Sequence, residues 1–252
     1  MAEWIVLGSA HAVPDAHHAN THFVLTDGER TLLVDAPCEV VPRLRQAGIS
    51  PWHLTAIILT HFHPDHTAGM PMLLMDSWLQ GRTAPLHIYA LEDVIERLQR
   101  LMSLYRWENW PDFFPVVFHA IPAEALTPVL EAPSWRVWAS PVVHMVPAVG
   151  LRIAFPNGEV LAYSGDTGPT EAVVGLAKGA DYLFHEASGA MEGHTSAAQA
   201  GEIAARAGAK RLYLVHTPTD AARRAALGAE ARKHFGGEVV VADDLLRVSV
   251  GA

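Results

Sequence analysis

Apolar residues in this chain gather into short, β-rich runs separated by turn residues. Thirteen such runs read as strands, from Trp4–Leu7 and His22–Leu25 to Glu238–Val241 and Leu246–Val250, and their Val, Ile, Leu, Tyr and Trp content suits buried or half-buried pleated chain. Asp27-Gly28 and Asn157-Gly158 predict tight hairpins, because glycine accepts the positive φ of such turns. Helical spacing is rarer. Over Leu91–Trp107 it puts Val94, Ile95, Leu98, Met102 and Tyr105 on one face. Glu171–Ala177 predicts a short helix stopped by Lys178-Gly179, and Ala221–Lys233 predicts another helix. Ser196–Ala207 reads as an Ala-rich helix with Thr195 as N-cap and Gly208 beyond its end. Strands mixed with helices, with hairpins in both halves, predict an α/β layered fold and not a simple parallel sheet. No linker composition interrupts residues 1–252, so one domain is expected. The aromatic, Pro-rich stretch Trp107–Pro128 reads equally as a lid or interface loop and as ordinary packing, and the Trp107–Phe114 aromatics are a candidate homodimer surface.

Composition then narrows the function classes. Half the residues are hydrophobic and 18% are charged, which excludes a disordered chain. Cys38 has no partner for a disulfide and is expected as a small buried side chain. Acidic residues outnumber basic ones 27 to 18, for a net charge of −9. Proteins that grip nucleic acid through phosphates usually show a basic patch, so RNA stays open as a partner but draws no support from charge. No apolar run approaches the roughly 18 residues of a membrane span. The first residues read as a strand and not as a signal peptide, so a cytoplasmic location is expected.

Histidine is the abnormal number, at 15, and its placement is ordered. Thr60-His61-Phe62-His63-Pro64-Asp65-His66 follows the apolar run Ala56–Leu59. His61 and His63 share a side in extended geometry, while Asp65 and His66 follow where the chain turns. Imidazole and carboxylate together suit zinc, and also manganese or iron. Four such groups crowded after a buried strand would repel or desolvate one another without a cation. His144, Asp166 and His216 each follow another apolar run, as a site at one edge of layered sheets would require.

His61-x-His63-x-Asp65-His66, followed by His144, Asp166 and His216, resembles the metallo-β-lactamase superfamily. The segments YSGDTGPTEAVVGLAKGADYLFHEAS and GHTSAAQAGEIAARAGAKRLYLVHTP resemble its ribonuclease Z branch. The resemblance implies a four-layer αβ/βα sandwich with two divalent metal ions between the sheets. His61, His63 and His144 would hold one ion, Asp65, His66 and His216 the other, and Asp166 both. A hydroxide between the ions would attack a phosphodiester, with Asp65 orienting it. His194 would donate a proton or bind the scissile phosphate, and Glu186 would orient His194. Free N–H groups at Thr195 and Ser196 would offer further help to an anion. Asp35 is expected to fix a ligand histidine by accepting its other N–H. His11, His17 and His18 border the site in this branch, as substrate contacts or as solvated side chains.

The chain departs from that branch in two ways. It has no long basic Gly/Pro-rich arm, and Thr217-Pro218-Thr219-Asp220 stands where the branch commonly has Phe-Ser-x-Arg-Tyr. RNA affinity rests on phosphate contacts, so the tRNA-binding apparatus looks absent or reduced. Hydrolysis of a lactone, thioester, β-lactam or sulfate ester on the same scaffold is the alternative. A non-catalytic scaffold protein is a third reading, set against all seven ligands being present.

Overall fold

The computed structural model describes residues 2–251. Among these, strands β1 (Ala2–Gly8), β2 (His22–Thr26), β3 (Thr31–Val34), β4 (Ala56–Ile58), β5 (Leu86–Ala90) and β6 (Val116–Ala120) form one sheet. The last strand, β14 (Arg247–Val250), returns to its edge beside β1. The second sheet runs through β7 (Thr127–Ala132), β8 (Trp135–Val142), β9 (Ala148–Ala154), β10 (Val160–Tyr163), β11 (Tyr182–Glu186), β12 (Arg211–Val215) and β13 (Glu238–Val241). Each sheet opens with three antiparallel pairings and continues with three parallel ones. The hairpins at Gly28 and Gly158 form as expected, with φ of 91° and 90°.

The parallel strands need crossovers, and these supply the outer layers. Helices α1 (Val40–Gln46), α2 (Pro64–Thr67), α3 (Met70–Leu79) and α4 (Glu92–Leu104) belong to the first half of the chain. Helices α5 (Glu171–Leu176), α6 (Ala197–Ala207) and α7 (Ala221–Arg232) belong to the second. Period-two alternation divides the second sheet between two cores. Leu161, Tyr163, Tyr182, Phe184, Tyr213 and Val215 face the first sheet, where Trp4 and Phe23 meet Phe184 and Tyr163. Ala162, Leu183, Leu212 and Leu214 face the other way, onto Val173 of α5, Ala200 and Ala204 of α6 and Leu227 of α7. The result is the α/β layered fold that the pattern predicted, in the sandwich form that the resemblance implied.

Several local expectations change. Ser196, not Thr195, caps α6: its Oγ accepts from Gln199 N, while Gln199 Oε1 accepts from Ser196 N in a capping box. Thr195 is buried and its hydroxyl donates to Thr167 O at 2.6 Å. The Ser196 N–H is therefore spent inside the cap and is not free for an anion. α4 buries Val94, Ile95, Leu98 and Met102 but ends at Leu104, leaving Tyr105 exposed. Cys38 is exposed, because the turn at Pro37, whose carbonyl accepts from Val40 N, aims it outward. Residues 107–114 pack on their own chain: Trp110 stacks on Trp78 at 5.0 Å, and Phe113 meets Trp107 and Trp110.

Candidate metal centre

Strand ends on both sheets meet at one edge of the sandwich. Asp35 follows β3, His61 to His66 follow β4, His144 follows β8, Asp166 follows β10, Glu186 ends β11 and His216 follows β12. The carboxyl ends of parallel strands are where such folds gather polar groups, because the chain leaves the ladder there. Asp35 and His216 both take left-handed backbone, with φ of 64° and 50°. A main-chain bond from Val149 N to Thr60 O, 3.1 Å, ties the two halves beside the cluster.

The ligand atoms form two groups, each drawn to within 4.8 Å. One is His61, His63 and His144, and the other is Asp65, His66, Asp166 and His216. In the first, His63 Nδ1 lies 3.1 Å from both His61 Nε2 and His144 Nε2. In the second, Asp166 Oδ2 lies 3.2 Å from His216 Nε2 and 3.4 Å from His66 Nε2, and it also reaches to 4.0 Å from His61 Nε2 in the first group. Asp65 Oδ2 is 3.3 Å from His216 Nε2.

Hydrogen bonds on the far side of four of the five ligand rings fix which nitrogen faces inward. His66 Nδ1–H donates to Asp35 Oδ2 at 2.8 Å, and His144 Nδ1–H to the Gly193 carbonyl at 2.8 Å. Thr60 commits its hydroxyl proton to Asp35, so its oxygen accepts from His61 Nδ1–H. Ser188 commits its own to the His216 carbonyl and accepts from His216 Nδ1–H at 2.6 Å. These four imidazoles therefore turn Nε2 inward, as ligand histidines do when their other nitrogen is engaged. Asp166 Oδ1, fully buried, has no hydrogen-bond partner among the described residues. The donor set fits divalent cations of the zinc, manganese or iron type.

Electrostatics point the same way. Burial alone would raise the Asp166 carboxyl, yet His216 and His66 beside it hold it well below the usual carboxylate range. Asp65 is likewise lowered against the effect of burial, by His216 and His66. Burial and the neighbouring His66 keep His61 neutral, well below the ordinary histidine value. Burial opposes charge at His66 as well, but Asp166 and Asp35 at its two nitrogens pull its pKa well above normal. The pull that would hold a proton on Nε2 acts equally on a metal cation, which competes for the same lone pair.

His194 stands at the rim, its ring 5.0 Å from His144 and 5.7 Å from His216. Its Nδ1 donates to Glu186 Oε1 at 2.9 Å, a bond that raises the pKa of His194 while partial burial works against it. Glu186 is buried and fixed in turn, accepting from Thr167 N and Ser188 N. Asp35 reaches His66 as expected. Ser188, Thr60 and the Gly193 carbonyl were not foreseen, since nothing in their local sequence marks them as partners of a distant ring. His11 lines the pocket above the cluster. His17 is exposed, and His18 pairs with Asp15.

Two mixed seven-stranded sheets with this cluster at the carboxyl ends of their strands define the metallo-β-lactamase fold. A family model described as a β-lactamase superfamily domain matches residues 30–217. A ribonuclease Z of Methanothermobacter thermautotrophicus is 30% identical over 307 residues, covering 100% of this chain and 98% of that protein. A ribonuclease Z of Thermobifida fusca is 30% identical, covering 98% and 94%. Among solved structures, the metallo-β-lactamase fold protein YhfI of Bacillus subtilis superposes with a TM-score of 0.84 at 24% identity, over 98% of each chain. The short form of human tRNase Z gives 0.81 at 24% identity, over 98% of this chain and 99% of that one. The chain therefore belongs to the β-lactamase superfamily and, within it, to the ribonuclease Z family.

Proposed function

We propose that this chain is a metal-dependent phosphodiesterase of the endoribonuclease-like kind, working with two divalent cations, zinc first among them. The observation that supports this most strongly is the pair of inward-facing ligand groups joined through Asp166 Oδ2. His61, His63 and His144 would hold one cation, Asp65, His66 and His216 the other, and Asp166 both. Such a pair, when bound, makes water acidic enough to attack at neutral pH and compensates charge on the phosphoryl oxygens.

The chain's own groups supply the rest. Asp65, held ionised, orients the attacking water by accepting its hydrogen bond. His194, oriented by Glu186, whose hydrogen bond raises its pKa, binds a non-bridging phosphoryl oxygen or gives its proton to the departing alkoxide. A proton donor at that place favours a phosphodiester over a thioester, whose thiolate leaves without one. The remaining ester classes are separated by a substrate panel on one metal-loaded sample. No described helix is long and apolar enough to cross a membrane.

The direct test is elemental analysis of the purified chain together with hydrolysis of bis(p-nitrophenyl) phosphate. The expected result is about two divalent ions per chain. Activity should disappear with chelator and in His61→Ala. Full activity after exhaustive metal removal refutes the reading.

A further inference from the structure

The pocket above the metal centre has walls that take no part in holding a cation. Its volume is about 350 Å³, near the lower end of the range for small-molecule sites. On one wall, His11 is clamped by its backbone: its N–H donates to the Thr217 carbonyl at 3.0 Å and its carbonyl accepts from Asn20 Nδ2 at 2.7 Å. The His11 Nδ1 accepts from Val13 N–H at 2.9 Å. A ring nitrogen that accepts carries no proton, so Nε2 carries it and is left as a donor. The ring stands edge-on to His216, with centroids 6.4 Å apart. Arg223 lines the same pocket, forms no ion pair among the described residues, and is the one permanent cation among the lining residues.

The rim is apolar. Val13, Met145 and Met191 are 63%, 61% and 61% exposed, yet all three line this pocket. They arrive on three separate loops, after β1, after β8 and after β11. Large apolar side chains held in water around one opening gain free energy only when something covers them. A folded RNA would instead ask for many cations along its phosphates, and this rim offers one.

We infer, resting on the phosphodiesterase reading, that the substrate is a small phosphodiester with an apolar, ring-bearing group. The His11 Nε2–H and the Arg223 guanidinium take the phosphate's charge, and Val13, Met145 and Met191 cover the ring.

The test uses the metal-loaded full chain and two readouts. The first is calorimetric binding of phenylphosphonate and methylphosphonate, neither of which is hydrolysed. The second is kcat/KM on bis(p-nitrophenyl) phosphate and on methyl p-nitrophenyl phosphate. Phenylphosphonate should bind about tenfold tighter than methylphosphonate, the scale expected for covering one ring. Met145→Ser with Met191→Ser should abolish that preference and the matching preference in kcat/KM. Arg223→Ala should weaken both phosphonates about tenfold. His11→Phe should also weaken both, and His11→Gln, which restores a donor, should recover most of the loss. These side chains are exposed or half-buried, so the variants should fold. Equal binding of the two phosphonates, an aryl preference that survives the double serine variant, or a precursor tRNA cleaved with higher kcat/KM than any small diester overturns the inference. If no phosphodiester is hydrolysed at all, the activity reading falls and takes this inference with it. If diesters are hydrolysed without aryl preference, only the pocket assignment falls.

Discussion

Asp35 joins both ligand groups through one side chain. It accepts from Thr60 N, from Thr60 Oγ1 and from His66 Nδ1, so a single carboxylate orients His66 directly and His61 through the threonine. Its backbone sits at φ 64°, a region asparagine also tolerates. Asp35→Asn should therefore keep the turn and lose the charge. Metal affinity should fall about 10- to 100-fold, measured by competition with a chromophoric chelator; unchanged affinity would show that the carboxylate does not tune the ligands. A second residue-scale prediction concerns His22, whose pKa burial pushes down to about 3. Its Nδ1–H donates to the Asn20 carbonyl. The unfolded chain protonates this ring below about pH 6.5, while the folded chain resists until about pH 3, so stability falls as the pH drops through that window. The slope from this one group is about 1.4 kcal/mol per pH unit. Urea midpoints of metal-free protein between pH 6 and pH 4 should show it, and His22→Leu should flatten the curve by about that amount. An unaltered slope would contradict the assignment. His61 to His66 were legible because their spacing is local. His144, Asp166 and His216 were legible only as a set of strand ends. Met145, Met191 and Arg223 carried no signal, since exposed side chains meet at a pocket only through loops that sequence does not place. Cys38 was misread because a small apolar residue says nothing of which way a turn will aim it.

At the scale of elements, α6 shows two effects opposed at one position. Gly201 lies inside the helix, where alanine would be favoured by about 1 kcal/mol. Yet a Cβ there would come within 2.5 Å of the Ala231 carbonyl of α7, and a backbone atom cannot move aside cheaply. Overpacking should win, so Gly201→Ala should destabilise the protein by about 1–3 kcal/mol, read from urea unfolding. A more stable variant would mean that α7 can slide. The same logic explains which elements escaped the sequence reading. α3, with sequence MPMLLMDSWL, buries Met70, Leu73, Leu74 and Ser77 at helical spacing, but Met72 and Leu79 on its exposed side erase the contrast that reveals a helix. β7 contains Pro128, which argues against a strand; it is tolerated because β7 is the outermost strand of its sheet and its register shifts between Pro128 and Leu130. Strands with a continuous apolar run, such as Tyr182–Phe184 in β11 and Leu212–Val215 in β12, were legible in place, though β11 runs two residues and β12 one residue past the expected end.

At the scale of the whole molecule, the candidate centre lies across the junction of the two sheets. Asp35 and His61 to His66 come from the first, while His144, Asp166 and His216 come from the second. Cations held there bind one half of the chain to the other, and they bind only when both halves are in place. The unfolded chain has no preformed site, so the free energy of binding adds to that of folding. With free metal at about a thousand times its dissociation constant, the gain is roughly 4 kcal/mol. Removing metal also leaves Asp65, Asp166 and the ring nitrogens facing one another at 3.1–3.5 Å without a cation to share. Chelator should therefore lower the melting temperature by several degrees, and zinc should restore it together with activity, with an excess of magnesium recovering less because it disfavours imidazole. His63→Ala, which empties one group of a ligand and leaves the other whole, should keep part of the zinc-dependent rise, while Asp166→Ala should lose most of it. A melting temperature indifferent to metal in the wild-type chain would mean that the seven side chains converge without binding, and the enzyme argued from them would have no nucleophile.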